Sequence, residues 1–189
     1  FDSFYIQRDH QRDLGHVRRL RRWADANGKS LLVLANSGCL AFCSGQTFHD
    51  NLVAHEADVD EMRNITDFSP MVCRRLLADR AHWPLILQAT WIRPEDVHRY
   101  EGLVSVMKLA TRMHSNPRLV LGAYARGRYR GNLLDLTEPG YGPLLAPFVL
   151  DNTRLPDDWF DRTSTCGRVC EDCDYCRRAL EGALVELPA

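Results

Sequence analysis

At 189 residues, 45% hydrophobic and 26% charged, the chain has the composition of a globular domain able to bury one core. Its formal net charge of -1 supplies no field to draw in nucleic acid or an anionic membrane, and no apolar run approaches the ~20 residues that span a bilayer. No charged-apolar-small segment opens it, so the expected setting is the cytoplasm, without membrane contact.

The sequence opens at Phe1, without an initiator Met, and runs straight into Phe4-Tyr5-Ile6, a short strand; both features predict a piece of a longer protein. Leu14, Val17, Leu20, Trp23 and Ala24 then recur on one helical face, which Asn27-Gly28 ends. Arg18, Arg19, Arg21 and Arg22 in that helix read as a solvated face. Leu31 to Ala35 is a continuous apolar run, the pattern of a parallel strand covered on both faces. Leu85-Ile86-Leu87 reads as another strand, leading through Trp91-Ile92 to Arg93-Pro94-Glu95-Asp96, where proline and acids open a helix to about Tyr100. Leu103 to Ala110 reads as a further strand, and Ser115-Asn116-Pro117 starts a helix carrying Leu119, Val120 and Tyr124.

Four strand-then-helix units imply a parallel sheet with helices outside, half of an eight-unit (β/α) barrel. The expected fold class is therefore α/β, the C-terminal half of a TIM-like barrel over residues 1–137. A loop-rich, cysteine-rich tail follows over 138–189, with a short helix near Arg177 to Leu184. Half a barrel leaves open strand edges, so the isolated chain is expected to aggregate or to pair with its N-terminal half or a partner chain.

The chemistry lies in seven cysteines. Cys166, Cys170, Cys173 and Cys176 form a C-x3-C-x2-C-x2-C run; Cys39 and Cys43 follow the end of a strand, where parallel α/β folds place their sites, and Cys73 sits in the apolar Met71-Val72-Cys73. An odd count in a reducing compartment argues against disulfides and for metal ligation. Zinc and iron-sulfur clusters both accept four thiolates. Zinc sites generally use two pairs separated by a longer loop, whereas crowding into one run favours a [4Fe-4S] cluster, zinc remaining the alternative. Two cubes would need eight ligands, so one cluster has spare thiols or a ligand such as His49 or His55 completes a second. Arg93, Lys108 and Arg112 fall at or just after strand ends, where with His49 they are candidates to bind a carboxylate or phosphate of substrate. His55-Glu56 lacks a second histidine at zincin spacing, and no G-x-S-x-G elbow, P-loop or dinucleotide glycine motif is present.

Asn36-Ser37-Gly38-Cys39-Leu40 with Cys43, Phe48-His49-Asp50-Asn51, Trp91 to Asp96, Gly127-Arg128-Tyr129-Arg130-Gly131-Asn132 and the terminal cysteine run together resemble the collagenase-like peptidase family U32, in order and spacing over nearly the whole chain. The resemblance implies a barrel-type fold whose N-terminal half is not in this chain, and an oxygen-sensitive four-iron cluster held by four cysteines. It implies two kinds of activity: peptidases, and proteins supporting oxygen-independent hydroxylation of tRNA, ribosomal RNA or a quinone precursor, some with prephenate as oxygen donor. Those hydroxylation proteins arrange their cysteines differently, so ligands do not transfer position by position. The expected function is a U32-type iron-sulfur protein in redox modification of RNA or a small molecule. The alternatives are a peptidase using Cys39 or a metal-bound water, and a structural zinc or RNA-binding module.

Overall fold

The computed structural model describes residues 1–54, 72–112 and 114–188. Five strands are present among them: β1 (Ser3–Tyr5), β2 (Ser30–Leu34), β3 (Val106–Lys108), β4 (Phe148–Leu150) and β5 (Leu184–Glu186). The α-helices are α1 (Leu14–Ala26), α2 (Gln46–Ala54), α3 (Val72–Leu77), α4 (Leu85–Gln88), α5 (Pro117–Arg126), α6 (Gly142–Leu145), α7 (Trp159–Ser164) and α8 (Tyr175–Ala183), with 3-10 turns at Arg8–His10 and Pro94–Tyr100 among the connections.

The local signals act where they stand. Asp13 caps α1 by accepting from His16 N at 2.8 Å, and Gly28, at φ 61°, lets the chain turn out of the helix into β2. Asn116 caps α5 through Leu119 N, Pro117 occupies its first turn, and Gly127 closes it in the left-handed region.

The sheet is parallel, in the order β1-β2-β3, so strands neighbour each other in sequence order. On one face Leu31 and Val33 are buried. The register puts Tyr5, Leu32, Leu34, Val106 and Lys108 on the other, where Tyr5 is 55% and Val106 50% exposed. That face is open, against the expectation of a β2 covered on both sides.

Three expectations are corrected. Leu85-Ile86-Leu87 is helix α4, not a strand: the chain coils at Trp83-Pro84, Ile86 N reaches Trp83 O at 2.9 Å, and a three-residue apolar run carries no period to separate helix from strand. The described parallel sheet accordingly has three strands rather than four, and its third covers only Val106–Lys108 of the expected Leu103 to Ala110. The short helix expected near Arg177 to Leu184 is α8, but it ends at Ala183, because β4 and β5 pair antiparallel, Phe148 to Glu186 through Leu150 to Leu184.

The core is anchored by Trp91 and Trp159, stacked at 4.7 Å between ring centres and 7° between planes. Buried Tyr100 and half-buried Tyr124 donate to backbone carbonyls, Tyr100 to Gln11 O at 2.8 Å and Tyr124 to Ile92 O at 2.6 Å. Burial raises both hydroxyls well above the ordinary 10. The native state therefore keeps protons that the unfolded chain releases, and this stabilisation is complete below pH 10 and lost as pH rises past it. By pH 11 each tyrosine is expected to have given up roughly 1.4 kcal/mol, lowering the urea midpoint. Tyr124→Phe should flatten the slope; equal midpoints at pH 9 and pH 11 would refute the assignment.

Candidate functional site

At the end of β2 the chain does not turn away but is pinned. Asn36, fully buried, donates through Nδ2 to Ala110 O at 2.8 Å and Leu136 O at 3.0 Å, and accepts from Ala110 N at 2.6 Å. Ser37 bridges Glu138 in parallel, and Gly38 N donates to Glu138 O at 2.9 Å. The seam delivers Cys39 to the C-terminal end of the sheet, buried, with Arg8 Nη1 donating to its Sγ at 3.4 Å. Burial raises the Cys39 thiol, opposed by the nearby Arg8 cation and, less, by Ser37.

Cys43 and Cys73, both half-buried, lie with Cys39 within electrostatic reach of one hydroxyl, that of Tyr141. Tyr141 is 1% exposed, and its Oη faces Cys73 without a well-formed hydrogen bond. Burial, then Cys73, Cys39 and Cys43, raise that hydroxyl far above its ordinary value. On α2, His49 has a buried Nε2 with no hydrogen-bond partner, and Asp50 pairs with Arg8. His55 and Met71 lie outside the described residues.

The terminal run forms a second group. Cys166, Cys170 and Cys173 are exposed, and Cys176 is half-buried in the first turn of α8. Burial pushes the Cys176 thiol up to about 11 against the nearby Arg12 cation, and thiolates at 166, 170 and 173 act in the same direction as burial, so the four lie within electrostatic reach. Arg168 N donates to Cys166 Sγ at 3.3 Å, and Cys170 Sγ lies 3.9 Å from Gln88 Oε1. Among the described residues no three His, Cys, Asp or Glu side chains converge on a single ion.

The two groups meet through one contact. Arg168 stacks its guanidinium 4.6 Å over Phe42, which sits between Cys39 and Cys43, and donates to Asp9 O at 2.9 Å, while Asp9 Oδ1 accepts from Phe42 N at 2.6 Å. Phe42 and Arg168 both occupy the left-handed region, at φ 55° and 59°.

The other candidates do not join them. Arg93, 8% exposed, is engaged by Asp96 at 2.9 Å and stacks 5.1 Å over Trp159. Lys108 stands on the open face of the sheet, its Nζ 5.6 Å from the Tyr5 ring. Arg112 is exposed and makes no hydrogen bond or ion pair with the described residues. Arg8, Arg12, Asp9 and Tyr141, which border the thiols, were missed in the sequence because no spacing marks a polar residue destined for burial.

These features define a mixed α/β protein with a three-stranded parallel sheet and seven free thiols, Cys39 following the end of β2. The chain is 31% identical, over 156 residues, to an uncharacterized protease of Methanocaldococcus jannaschii; the match covers 82% of this chain and 46% of the relative, so the chain spans about half that protein's length. The relative is consistent with a protease-like protein of peptidase family U32 and bears out the resemblance carried by the order of the motifs. No family model matches the chain, and no solved structure matches it. No described helix is long and apolar enough to cross a membrane.

Proposed function

We propose that the chain is part of a U32-type iron-sulfur protein that assists an oxygen-independent redox modification, a hydroxylation, of RNA or a small molecule in the cytoplasm. What supports this reading is the crowding of Cys166, Cys170, Cys173 and Cys176 into one run, within electrostatic reach of one another, with Cys39, Cys43 and Cys73 within electrostatic reach of Tyr141. A four-iron cluster spreads its thiolates farther apart than a single ion does, so the lack of a compact single-ion site is compatible with it. The donor set fits: soft thiols, an unpartnered buried hydroxyl beside one group, and the cation Arg12 beside the other. Cys166, Cys170, Cys173 and Cys176 would hold one cluster, and Cys39, Cys43 and Cys73, with His49 as fourth donor, a second. Such a group supplies one-electron transfer when bound. The protein's own share is to neutralise thiolate charge with Arg12 and Arg8 and to limit water at the half-buried sulfurs.

The open sheet face supports a barrel segment. Strands in sequence order with helices on one side are the wall of a singly wound barrel, and Tyr5, Leu32, Leu34 and Val106 would face its interior. The rest of a longer chain, or a partner, would close it.

Anaerobic purification is expected to give bound iron and sulfide with visible absorption, and a Cys170→Ala/Cys173→Ala double variant to lose at least about half the iron while keeping its helical circular dichroism. Stoichiometric zinc without iron would overturn the cluster. The protease-named relative favours a second reading, a peptidase with Cys39 as nucleophile. A nucleophilic cysteine needs its thiolate favoured; burial raises the Cys39 thiol, while Arg8 pulls it back down. Loss of peptide cleavage in Cys39→Ser with iron unchanged would establish the peptidase; parallel loss of iron would establish ligation.

A further inference from the structure

A cleft of about 830 Å³ opens between the Arg8–His10 turn, the start of α1, α7 and the terminal cysteine loop. Its carboxylates are already engaged. Asp9 accepts from Phe42 N, Asp13 from His16 N and Asp158 from the Tyr175 hydroxyl, while Asp161 takes both guanidinium nitrogens of Arg99. The other four arginines that line it, Arg12, Arg18, Arg162 and Arg168, form no ion pair among the described residues.

Arg12 is the informative one. It is 6% exposed, its guanidinium lies 5.5 Å and 4.9 Å from the Trp91 and Trp159 ring centres, and Nη2 donates to Leu87 O at 3.0 Å. Its Nη1 is buried with no partner, and so is Nε1 of the fully buried Trp159 beside it. Both orphans are donors. A buried cation with a spare donor, at a cleft whose acids are occupied, is a site short of an acceptor.

We propose that this cleft binds the oxyanion group, carboxylate or phosphate, of a small ligand, with Arg12 at its closed end and Arg18, Arg162 and Arg168 at its mouth. Guanidinium forks suit such groups because they donate two parallel hydrogen bonds. Cys166 also lines the cleft, and Arg12 lies within electrostatic reach of Cys176, so the bound group would sit beside the terminal thiols. The site does not depend on iron: it uses charges already in the fold.

The test is calorimetric titration of the chain, as purified anaerobically and again after metal removal by a chelator, with pyrophosphate and with citrate at low salt. Saturable one-site binding of either ion is expected in both preparations, stronger pyrophosphate binding assigning a phosphate and stronger citrate binding a carboxylate. An Arg18→Gln/Arg162→Gln variant, altered only at exposed positions, should bind about tenfold more weakly or worse. Arg19→Gln/Arg22→Gln, on α1 outside the cleft, should leave affinity unchanged. The proposal fails if neither ion binds at millimolar concentration, if the outer pair weakens binding as much as the cleft pair, or if a single-stranded oligonucleotide binds more tightly than both ions. Binding that disappears with the metal also overturns it, whereas absence of iron alone overturns only the cluster.

Discussion

Asn36→Ala is expected to lower stability by about 3–5 kcal/mol and the melting temperature by roughly 10 °C, the largest effect of any polar substitution near the thiols. The amide joins three backbone groups that come from distant segments: Ala110 N, Ala110 O and Leu136 O. Alanine leaves all three without this partner where the side chain was fully enclosed, and each unsatisfied buried group costs about 1–3 kcal/mol. Asn36→Asp sharpens the test. The carboxylate still accepts from Ala110 N but puts a second oxygen against two carbonyls, so it should be no better than alanine. A thermal melt read by circular dichroism decides this, and a change under about 2 °C for alanine would show that the seam is not held by this side chain.

Gly38→Ala should be harsher in a different way. A Cβ at position 38 would lie 2.2 Å from Pro139 O and 3.2 Å from Thr137 Cβ. The first obstacle is backbone and cannot swing aside, so the Ser37–Gly38 segment must part from Glu138–Pro139 and break the Gly38 N to Glu138 O bond. The expected cost is at least about 3 kcal/mol, with a loss of iron from the Cys39 group if that group binds it, since the displaced residue is Cys39's neighbour. Gly182→Ala is the matched control. Its Cβ would meet nothing within 4 Å in α8, and removing a helical glycine should stabilise by up to about 1 kcal/mol. Equal melting temperatures for Gly38→Ala and the unaltered chain would mean that the two strands of the seam are not packed as described.

The helices α1 and α5 and the strands β1 and β2 were legible because their signals are local. An asparagine cap, a proline in the first turn, a glycine at the exit and a sustained period of apolar residues act within one or two turns of chain. Leu85 to Leu87 was misread for the same reason turned around, since three apolar residues contain less than one helical turn and fit either element. The β4–β5 pair was not legible at all: Phe148 finds Glu186 across a long excursion of chain, and three-residue strands carry no alternation of their own.

The candidate site divides along the same line. Residue types and their spacing set out, unaided, which sulfur atoms this chain could offer, that four crowd into one run and that two follow the end of β2, because covalent neighbours stay neighbours in any fold. Only tertiary packing put Cys73 beside Tyr141, laid Arg168 across Phe42, committed Arg93 to Asp96 and Trp159, and left Arg12 buried with an unpartnered nitrogen. Burial and pairing are properties of surfaces that meet, and residues far apart in sequence acquire them only when the core closes around them.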